Sequence, residues 1–173
     1  MTRLRLRLET ERLRLVPFTA ELIDALAERA HAQRLLGAAI PDGWPDEELA
    51  GLLSLYRDWI RADPSLLGFG PWVVLVGDVV VGSAGFLGKA DDTSTIELGF
   101  GTHPDHRDRG YASEAARTLV GWGLAQPGVE RVIARCEPEN SPSVRVLEKI
   151  GMQPVGEVGG QLLWETRTGY ARA

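Results

Sequence analysis

Hydrophobic positions along the chain follow two periods, and the switches between them mark the elements. Leu4, Leu6, Leu8, Leu13 and Leu15 alternate with Arg3, Arg5, Arg7, Arg12 and Arg14, the period-two pattern of two strand-like pieces with one solvated face. The second piece, Arg12 to Val16, is expected to end at Pro17. From Thr19, a plausible N-cap, the spacing lengthens to three and four. Leu22, Ile23, Leu26 and Ala30 fall on one face of a helix predicted over Ala20 to Leu35. Gly37 to Pro45 reads as a loop carrying Trp44. Pro45 suits the first position of a second helix, with Asp46, Glu47 and Glu48 behind it. That helix carries Leu49, Leu52, Leu53, Tyr56, Trp59 and Ile60 before Pro64 stops it.

After Phe69 the period returns to two. Trp72 to Val76 and Val79 to Val81 are β-branched runs joined by Gly77-Asp78, a two-residue hairpin signal, and the second run continues through glycines towards Phe86 and Leu87. A turn at Lys89 to Thr93 precedes a third strand, Ser94 to Thr102. Then come a helix from about Gly110 to Leu124, a strand Arg131 to Cys136, and a loop–helix unit Asn140 to Ile150. Two terminal strands follow, Gln153 to Val158 and Leu162 to Arg167. The order β-α-α-β-β-β-α-β-α-β-β predicts an α+β domain with a mixed, mostly antiparallel sheet and helices on both faces. One central pair, across the helix Gly110 to Leu124, should be parallel, since its crossover is right-handed and long enough, while the hairpins elsewhere should be antiparallel.

Composition narrows the classes. A chain of 173 residues with 44% hydrophobic and 25% charged residues is expected to fold as one domain, 1–173, with a substantial core. Its net charge of −5 argues against a dedicated nucleic-acid binder. No window approaches a membrane span and the opening lacks the apolar core of a signal peptide, so a cytoplasmic, membrane-free protein is expected. The one cysteine, Cys136, excludes an internal disulfide and reads as a small buried hydrophobe, although a nucleophilic role stays open. His31, His103 and His106 lack metal-ligand spacing, so no metal is expected. The tryptophans are expected mostly in the core, with Trp44 the one to watch as a pocket wall.

Two constellations carry chemistry. His106-Arg107-Asp108-Arg109-Gly110-Tyr111-Ala112 joins a strand to a helix start. Backbone N–H groups from Arg107 to Ala112, the positive end of a helix dipole and two arginines converge there, which suits a diphosphate. Gly110 can adopt positive φ and leaves room for a close ligand. Such a stretch also arises as a plain helix start with solvated arginines, with Tyr111 a packing residue. In the second constellation, Asn140-Ser141-Pro142-Ser143, Ser141 is expected to cap a helix with Pro142 at its first position, and Gly151 to stop it. Capping leaves Asn140 unexplained, and its two-way amide could face an amide-bearing ligand.

Together, Arg107-x-x-Gly110-x-Ala112, the following strand, Asn140-x-x-Ser143 and Leu147-Glu148-Lys149-Ile150-Gly151-Met152 resemble the GNAT superfamily of acyl-CoA N-acyltransferases. The opening Leu8-Glu9-Thr10-Glu11-Arg12-Leu13-Arg14-Leu15, with Ile96-Glu97-Leu98-Gly99-Phe100 and Gly110-Tyr111-Ala112-Ser113-Glu114-Ala115, looks like the RimJ/RimL-like branch that acetylates ribosomal-protein alanines. The resemblance runs from Leu8 to about Trp164 and departs at Val16 and at Gly101-Thr102-His103. It implies an N-acetyltransferase with acetyl-CoA as co-substrate, its diphosphate on the amides of Arg107, Asp108, Arg109, Gly110, Tyr111 and Ala112. Its pantetheine arm would lie along Phe100, Gly101 and Thr102, with Asn140 and Ser143 as further contacts. The thioester would then sit where that strand and Arg131 to Cys136 diverge, on an open strand edge.

Acetyl transfer needs a neutral amine, and alkyl amines titrate near 10.4, so a base must take a proton. Glu97 is the first candidate, sharing a strand face with Gly99 and Gly101. It could equally be the partner of an arginine. Glu165 is a weaker candidate, and Ser141 or Ser143 competes with water as the acid. The acceptor, a small-molecule amine or a protein N-terminus, is not legible, and neither is the oligomeric state, a homodimer being one option. A non-catalytic acyl-CoA sensor and a purely structural interaction domain are the competing classes.

Overall fold

The computed structural model describes residues 6–168. Within them, the alternating opening forms two short strands, β1 (Leu8–Glu9) and β2 (Arg14–Pro17), paired antiparallel with Leu8 opposite Leu15. Arg3, Leu4 and Arg5 of the alternating run lie outside the described residues.

The single helix expected over Ala20 to Leu35 is two helices, α1 (Ala20–Ala25) and α2 (Arg29–Leu36). Thr19 caps α1 as expected, accepting from the Leu22 N–H at 3.1 Å. Leu26, Ala27 and Glu28 donate to carbonyls three residues back, and Glu28 then turns extended to open α2. The break falls where Ala27 to Ala30 offers no large apolar side chain, so packing cannot hold a straight helix there. Ala30, expected on the apolar face, is exposed, while Ala32 and Leu36 are buried.

Helix α3 (Glu47–Ala62) begins two residues later than the proline rule suggests. Asp46 is its N-cap, accepting from the Leu49 N–H at 2.9 Å, which leaves Pro45 outside the helix. A carboxylate that satisfies an orphan N–H, an effect of about 1 kcal/mol, sets the boundary here rather than the fixed φ of proline. Leu53, Tyr56 and Ile60 are buried. Trp59, expected in the core, stands on the exposed side of α3.

Strands β3 (Pro71–Val76) and β4 (Val79–Phe86) form the expected hairpin, with Gly77 at φ +57° in the turn. The remaining elements are β5 (Thr95–Thr102), α4 (Tyr111–Leu124), β6 (Arg131–Cys136), α5 (Ser141–Lys149), β7 (Gln153–Val158) and β8 (Gln161–Arg167). They complete an eight-stranded sheet of order β1-β2-β3-β4-β5-β6-β8-β7. Every described neighbour pair is antiparallel except β5 and β6, the one parallel pair. This is the mixed α/β architecture expected from the element order.

The sheet is covered unequally. On one face α4 and α5 bury Ala115, Ala116, Leu119 and Leu147 against Ile96, Leu98, Val132 and Ala134. Gly123 lets α4 lie close, since a Cβ there would stand 2.7 Å from Ile96 Cδ1. On the other face α1 to α3 pack Leu22, Leu53 and Tyr56 over Val73, Leu75 and Val80. That second cluster draws on β2 to β4 alone among the described residues. On β5, β6 and β8 the face turned away from α4 carries Thr95, Glu97, Arg131, Arg135, Glu165 and Arg167, with Ile133 and Leu163 among them. No helix among the described residues is long and apolar enough to cross a membrane.

Candidate active site

The parallel pair sets the geometry. Strands β5 and β6 pair from Thr95↔Arg131 to Leu98↔Ala134 and no further. Beyond that point β5 runs on through Gly99 to Thr102, paired with β4 only, and β6 runs on to Cys136, paired with β8 only. The two strands thus part at their C-terminal ends and leave one β5 edge with backbone groups free of β6. The expected divergence of these two strands is present, and Phe100, Gly101 and Thr102 lie on the β5 side of the gap. Both strands lead into helices, so the N-termini of α4 and α5 open at the same edge of the sheet, the end at which parallel strands present ligand sites.

A short turn at Pro104–His106 connects β5 to the glycine loop. Asp108 (φ +61°) and Gly110 (φ +79°) are both left-handed, with Arg109 between them, an arrangement that gathers successive N–H groups into a concave donor set. Gly110 is the N-cap of α4, so the helix proper starts at Tyr111. Among the described residues nothing accepts from the N–H groups of Asp108, Arg109, Gly110, Tyr111, Ala112 or Ser113; the first helical bond is Glu114 N–H to the Gly110 carbonyl, 3.1 Å. A crevice of about 10 Å³ lies between the start of α4 and the end of β5, lined by Gly82, Gly101, Thr102, Tyr111 and Ala112 among others. Arg107 Nε donates to the Thr102 carbonyl (3.3 Å) and Arg109 Nη2 to the Asp105 carbonyl (3.3 Å).

Two cations that the sequence reading did not place in the site border Gly110. A Cβ on Gly110 would lie 3.3 Å from Arg12 Nη2 and 3.6 Å from Lys149 Nζ. Arg12 reaches the loop from the β1–β2 turn. Its Nη1 donates to the Arg109 carbonyl, its Nε to Glu114 Oε2 at 2.7 Å, and its guanidinium lies 5.0 Å above the centroid of the Tyr111 ring. Tyr111 both packs on the core below and carries this cation above. Glu114 also accepts from Thr10 Oγ1 and from the Arg12 N–H. Partial burial works against ionisation of Glu114, but the hydrogen bonds from Thr10 and Arg12, with the guanidinium charge, hold its carboxyl below the ordinary value. The one sequence signal for Arg12 was its place in the Glu9-Thr10-Glu11-Arg12 opening.

At the second helix start the cap is displaced by one residue from expectation. Asn140 caps α5, its Oδ1 accepting from the Ser143 N–H at 3.2 Å, and Ser141 and Pro142 are the first helical residues. Capping therefore does account for Asn140: its side chain reaches the third helical N–H, the usual reach of an Asn cap. Its amide NH₂ makes no hydrogen bond among the described residues, and neither does the Ser141 hydroxyl. Gly151 stops the helix at φ +83°, as expected.

On the face away from α4, Glu97, Gly99 and Gly101 align as the strand period predicts. A Cβ on Gly99 or Gly101 would meet nothing within 4 Å, so this stretch of β5 is an open floor. The Glu97 carboxylate stands beside Arg135, with Oε1 3.6 Å from Nε, and the arginine partnership weighed against a base role is thus present. Glu165 is committed to two arginines, Arg131 (3.2 Å) and Arg167 (3.1 Å). The hydrogen bonds and charge of Arg167, then Arg131, outweigh burial and hold its carboxyl low. Trp44 stacks on Phe18, ring centroids 5.9 Å apart, at the edge of the core under α1 to α3. Cys136 is buried in β6, and burial pushes its thiol up from the ordinary value, which disfavours the thiolate a nucleophile needs. His103 Nε2 lies 2.9 Å from the Asp42 carbonyl.

With this geometry in place, the comparisons with known proteins point one way. The model of the acetyltransferase (GNAT) domain matches residues 12–153. The chain is 37% identical over 147 residues to the uncharacterized N-acetyltransferase YjdG of Bacillus subtilis (strain 168), covering 83% of this chain and 88% of the relative. The crystal structure of a GNAT-family acetyltransferase from Bacillus anthracis superposes with a TM-score of 0.63 at 26% identity, covering 94% of this chain and 98% of that one. The same fold is found in RimL, the ribosomal L7/L12 alpha-N-protein acetyltransferase, in complex with coenzyme A. There the TM-score is 0.66 at 12% identity, over 94% of this chain and 98% of that one.

Proposed function

The chain belongs to the GNAT acetyltransferase family, and from that premise we propose that it transfers the acetyl group of acetyl-CoA to a primary amine by direct attack. The observation that carries this reading is the parting of β5 and β6 beyond Leu98 and Ala134, with the unpaired amides of 108–113 at its mouth. The donor set fits the co-substrate: six N–H groups at the start of a helix and four cations, Arg12, Arg107, Arg109 and Lys149, suit a diphosphate. The free β5 edge suits the amides of a pantetheine arm, with Asn140 and Ser143, at the start of α5, as further contacts. The acceptor in this reading is a small-molecule amine or a protein N-terminus, and the Leu8 to Leu15 opening supports a RimJ/RimL-like setting. One cytoplasmic domain, 1–173, is part of the same reading.

Bound acetyl-CoA supplies a thioester whose C–S bond is exchanged for the C–N bond of an amide, one proton leaving the amine and one reaching the departing sulfur. Glu97 is the residue of this chain proposed to take the amine proton, directly or through water, from the open side of the Gly99 to Gly101 floor. Ser141, whose hydroxyl is free at the first position of α5, is proposed to protonate the sulfur, with water as its competitor. The buried, high-pKa thiol of Cys136 supports direct attack over an acyl-cysteine route.

The Glu97–Arg135 contact favours one second reading, a domain that binds acyl-CoA without acetylating an acceptor. One experiment separates the two. The transferase reading expects CoA and acetyl-CoA to raise the melting temperature and thiol to be released with at least one amine of a broad panel. Stabilisation without thiol release would favour the sensor, and no stabilisation would sink both.

A further inference from the structure

The uncovered sheet face gathers arginines on an otherwise acidic chain. The protein carries a net charge of −5. Yet the side chains of β5, β6 and β8 that share the face of Glu97 include three arginines, Arg131, Arg135 and Arg167, against two carboxylates, Glu97 and Glu165. What matters for anion recognition is therefore not the summed charge of the face but how fully each guanidinium is engaged.

The cations on this face are not equally engaged. Arg131 and Arg167 both hold Glu165, and Arg131 also donates through Nε to Thr95 Oγ1 at 3.0 Å. Arg135 has a single contact, the 3.6 Å approach of Nε to Glu97, and neither Nη atom donates a hydrogen bond to a described residue. Its side chain is 40% exposed. Register places it at the critical point: Ala134 is the last β6 residue paired with β5, so Arg135 is the first residue beyond the parting of the strands. Glu97 precedes the last paired residue of β5, and Gly99 follows it with no side chain above the floor. A carboxylate and a half-free guanidinium thus flank the proposed point of amine attack, on the side from which an acceptor would approach.

We propose that Arg135 is the anion-recognising residue of the acceptor site, and that the acceptor is an amine bearing a carboxylate within a few bonds of its nitrogen. The inference rests on the transferase reading above. The acceptor nitrogen faces Glu97 and its carboxylate takes the planar fork of Arg135, which matches a carboxylate with two parallel N–H bonds. The long Glu97–Arg135 contact is replaced by two substrate contacts of the same charge pairing. A lysine in place of Arg135 keeps the charge and loses the fork.

The test is thiol release from acetyl-CoA with matched acceptors, tyrosine against tyramine, and peptide amides beginning with Asp against the same peptides beginning with Asn. The wild-type protein should prefer the carboxylated member of at least one pair by about ten-fold or more in kcat/KM. The pair that shows it tells whether the carboxylate is that of a free amino acid or a side chain of an acidic N-terminus. R135Q should bring that ratio close to one through KM of the carboxylated member, and R135K should leave an intermediate ratio. Because any disturbance of Glu97 acts on both members alike, the ratio isolates the anion contact. Equal use of both members by the wild type, or a ratio that survives R135Q in a protein of unchanged melting temperature, overturns the proposal. Acetyl-CoA binding with no thiol release for any amine overturns the transferase reading itself, and this inference with it.

Discussion

Arg12 Nη1 donates to the main-chain carbonyl of Arg109 at 2.9 Å, across 97 residues of sequence. The bond fixes the carbonyl between the two left-handed residues of the glycine loop, and Glu114 holds the same guanidinium from the first turn of α4. The opening of the chain therefore braces the donor set that is proposed to hold the diphosphate. Arg12→Gln should weaken CoA binding about ten-fold, the scale of one charge-assisted hydrogen bond lost at about 1.4 kcal/mol. The melting temperature should fall little, since Arg12 is half exposed. Calorimetric titration with CoA checks the affinity, and faster amide exchange at 108–113 would show the loop released. Unchanged affinity would leave Arg12 a surface ion pair only.

Gly110 is constrained in two ways at once. Its φ of +79° lies in the left-handed region, and Arg12 and Lys149 border the space where a side chain would begin. Gly110→Ala should cost about 1–2 kcal/mol of stability from backbone strain alone, visible in urea unfolding. Gly110→Glu should add a carboxylate beside the diphosphate site and abolish CoA binding while the protein still folds. A CoA affinity that survives the Glu variant would move the phosphate site elsewhere.

Much of the fold could be read from period changes. The β3–β4 hairpin follows from Gly77-Asp78, and the parallel pair from a helical connection between two strands that is long enough for a right-handed crossover. The expectations missed where two adjacent residues compete for one role. Asn140 rather than Ser141 caps α5, and Asp46 rather than Pro45 sets the start of α3, because the side chain that reaches the third helical N–H decides the boundary. The break after Ala25 was hidden because Ala30 counts as apolar in a pattern while burying almost nothing. In the candidate site, the loop geometry around Gly110 was legible because its residues are consecutive. Arg12 and Lys149 were not, since only the docking of the first turn and of α5 against α4 brings them to the loop. The pairing of Glu97 with Arg135 needed the β5–β6 register, which no local pattern contains.

The Glu114 carboxyl carries a pH dependence of definite sign. Its folded-state pKa lies below the ordinary 4.5, so the ionised form is favoured in the fold. The stability this contributes is present in full above the unfolded-state value and disappears as pH falls through the folded-state value. The wild-type protein should therefore lose melting temperature more steeply than Glu114→Gln between pH 5 and the acid limit of folding. At neutral pH the Gln variant should be the less stable of the two, having lost the ion pair to Arg12. Parallel pH curves for the two proteins would assign the acid sensitivity to other carboxylates, of which Glu165, also held low, is the next to examine.

Glu97 is the residue proposed to take the amine proton, and its contact with Arg135 makes the outcome of its replacement informative. Glu97→Gln keeps the shape and removes the proton acceptor. If Glu97 takes the proton, kcat should fall by about 10²–10³ at neutral pH, within the usual range for a positioned base. The loss should shrink as pH rises and the free amine becomes deprotonated on its own, because the acceptor then arrives in its reactive form. CoA affinity should stay at the wild-type value, since the residue faces away from α4 and the glycine loop. A structural partner of Arg135 behaves differently: its loss would shift KM for the acceptor by the same factor at every pH and leave kcat near wild type. The pH profile of kcat for the two proteins, measured on one acceptor at saturating acetyl-CoA, separates the roles, and a pH-independent ratio would remove Glu97 from the chemistry.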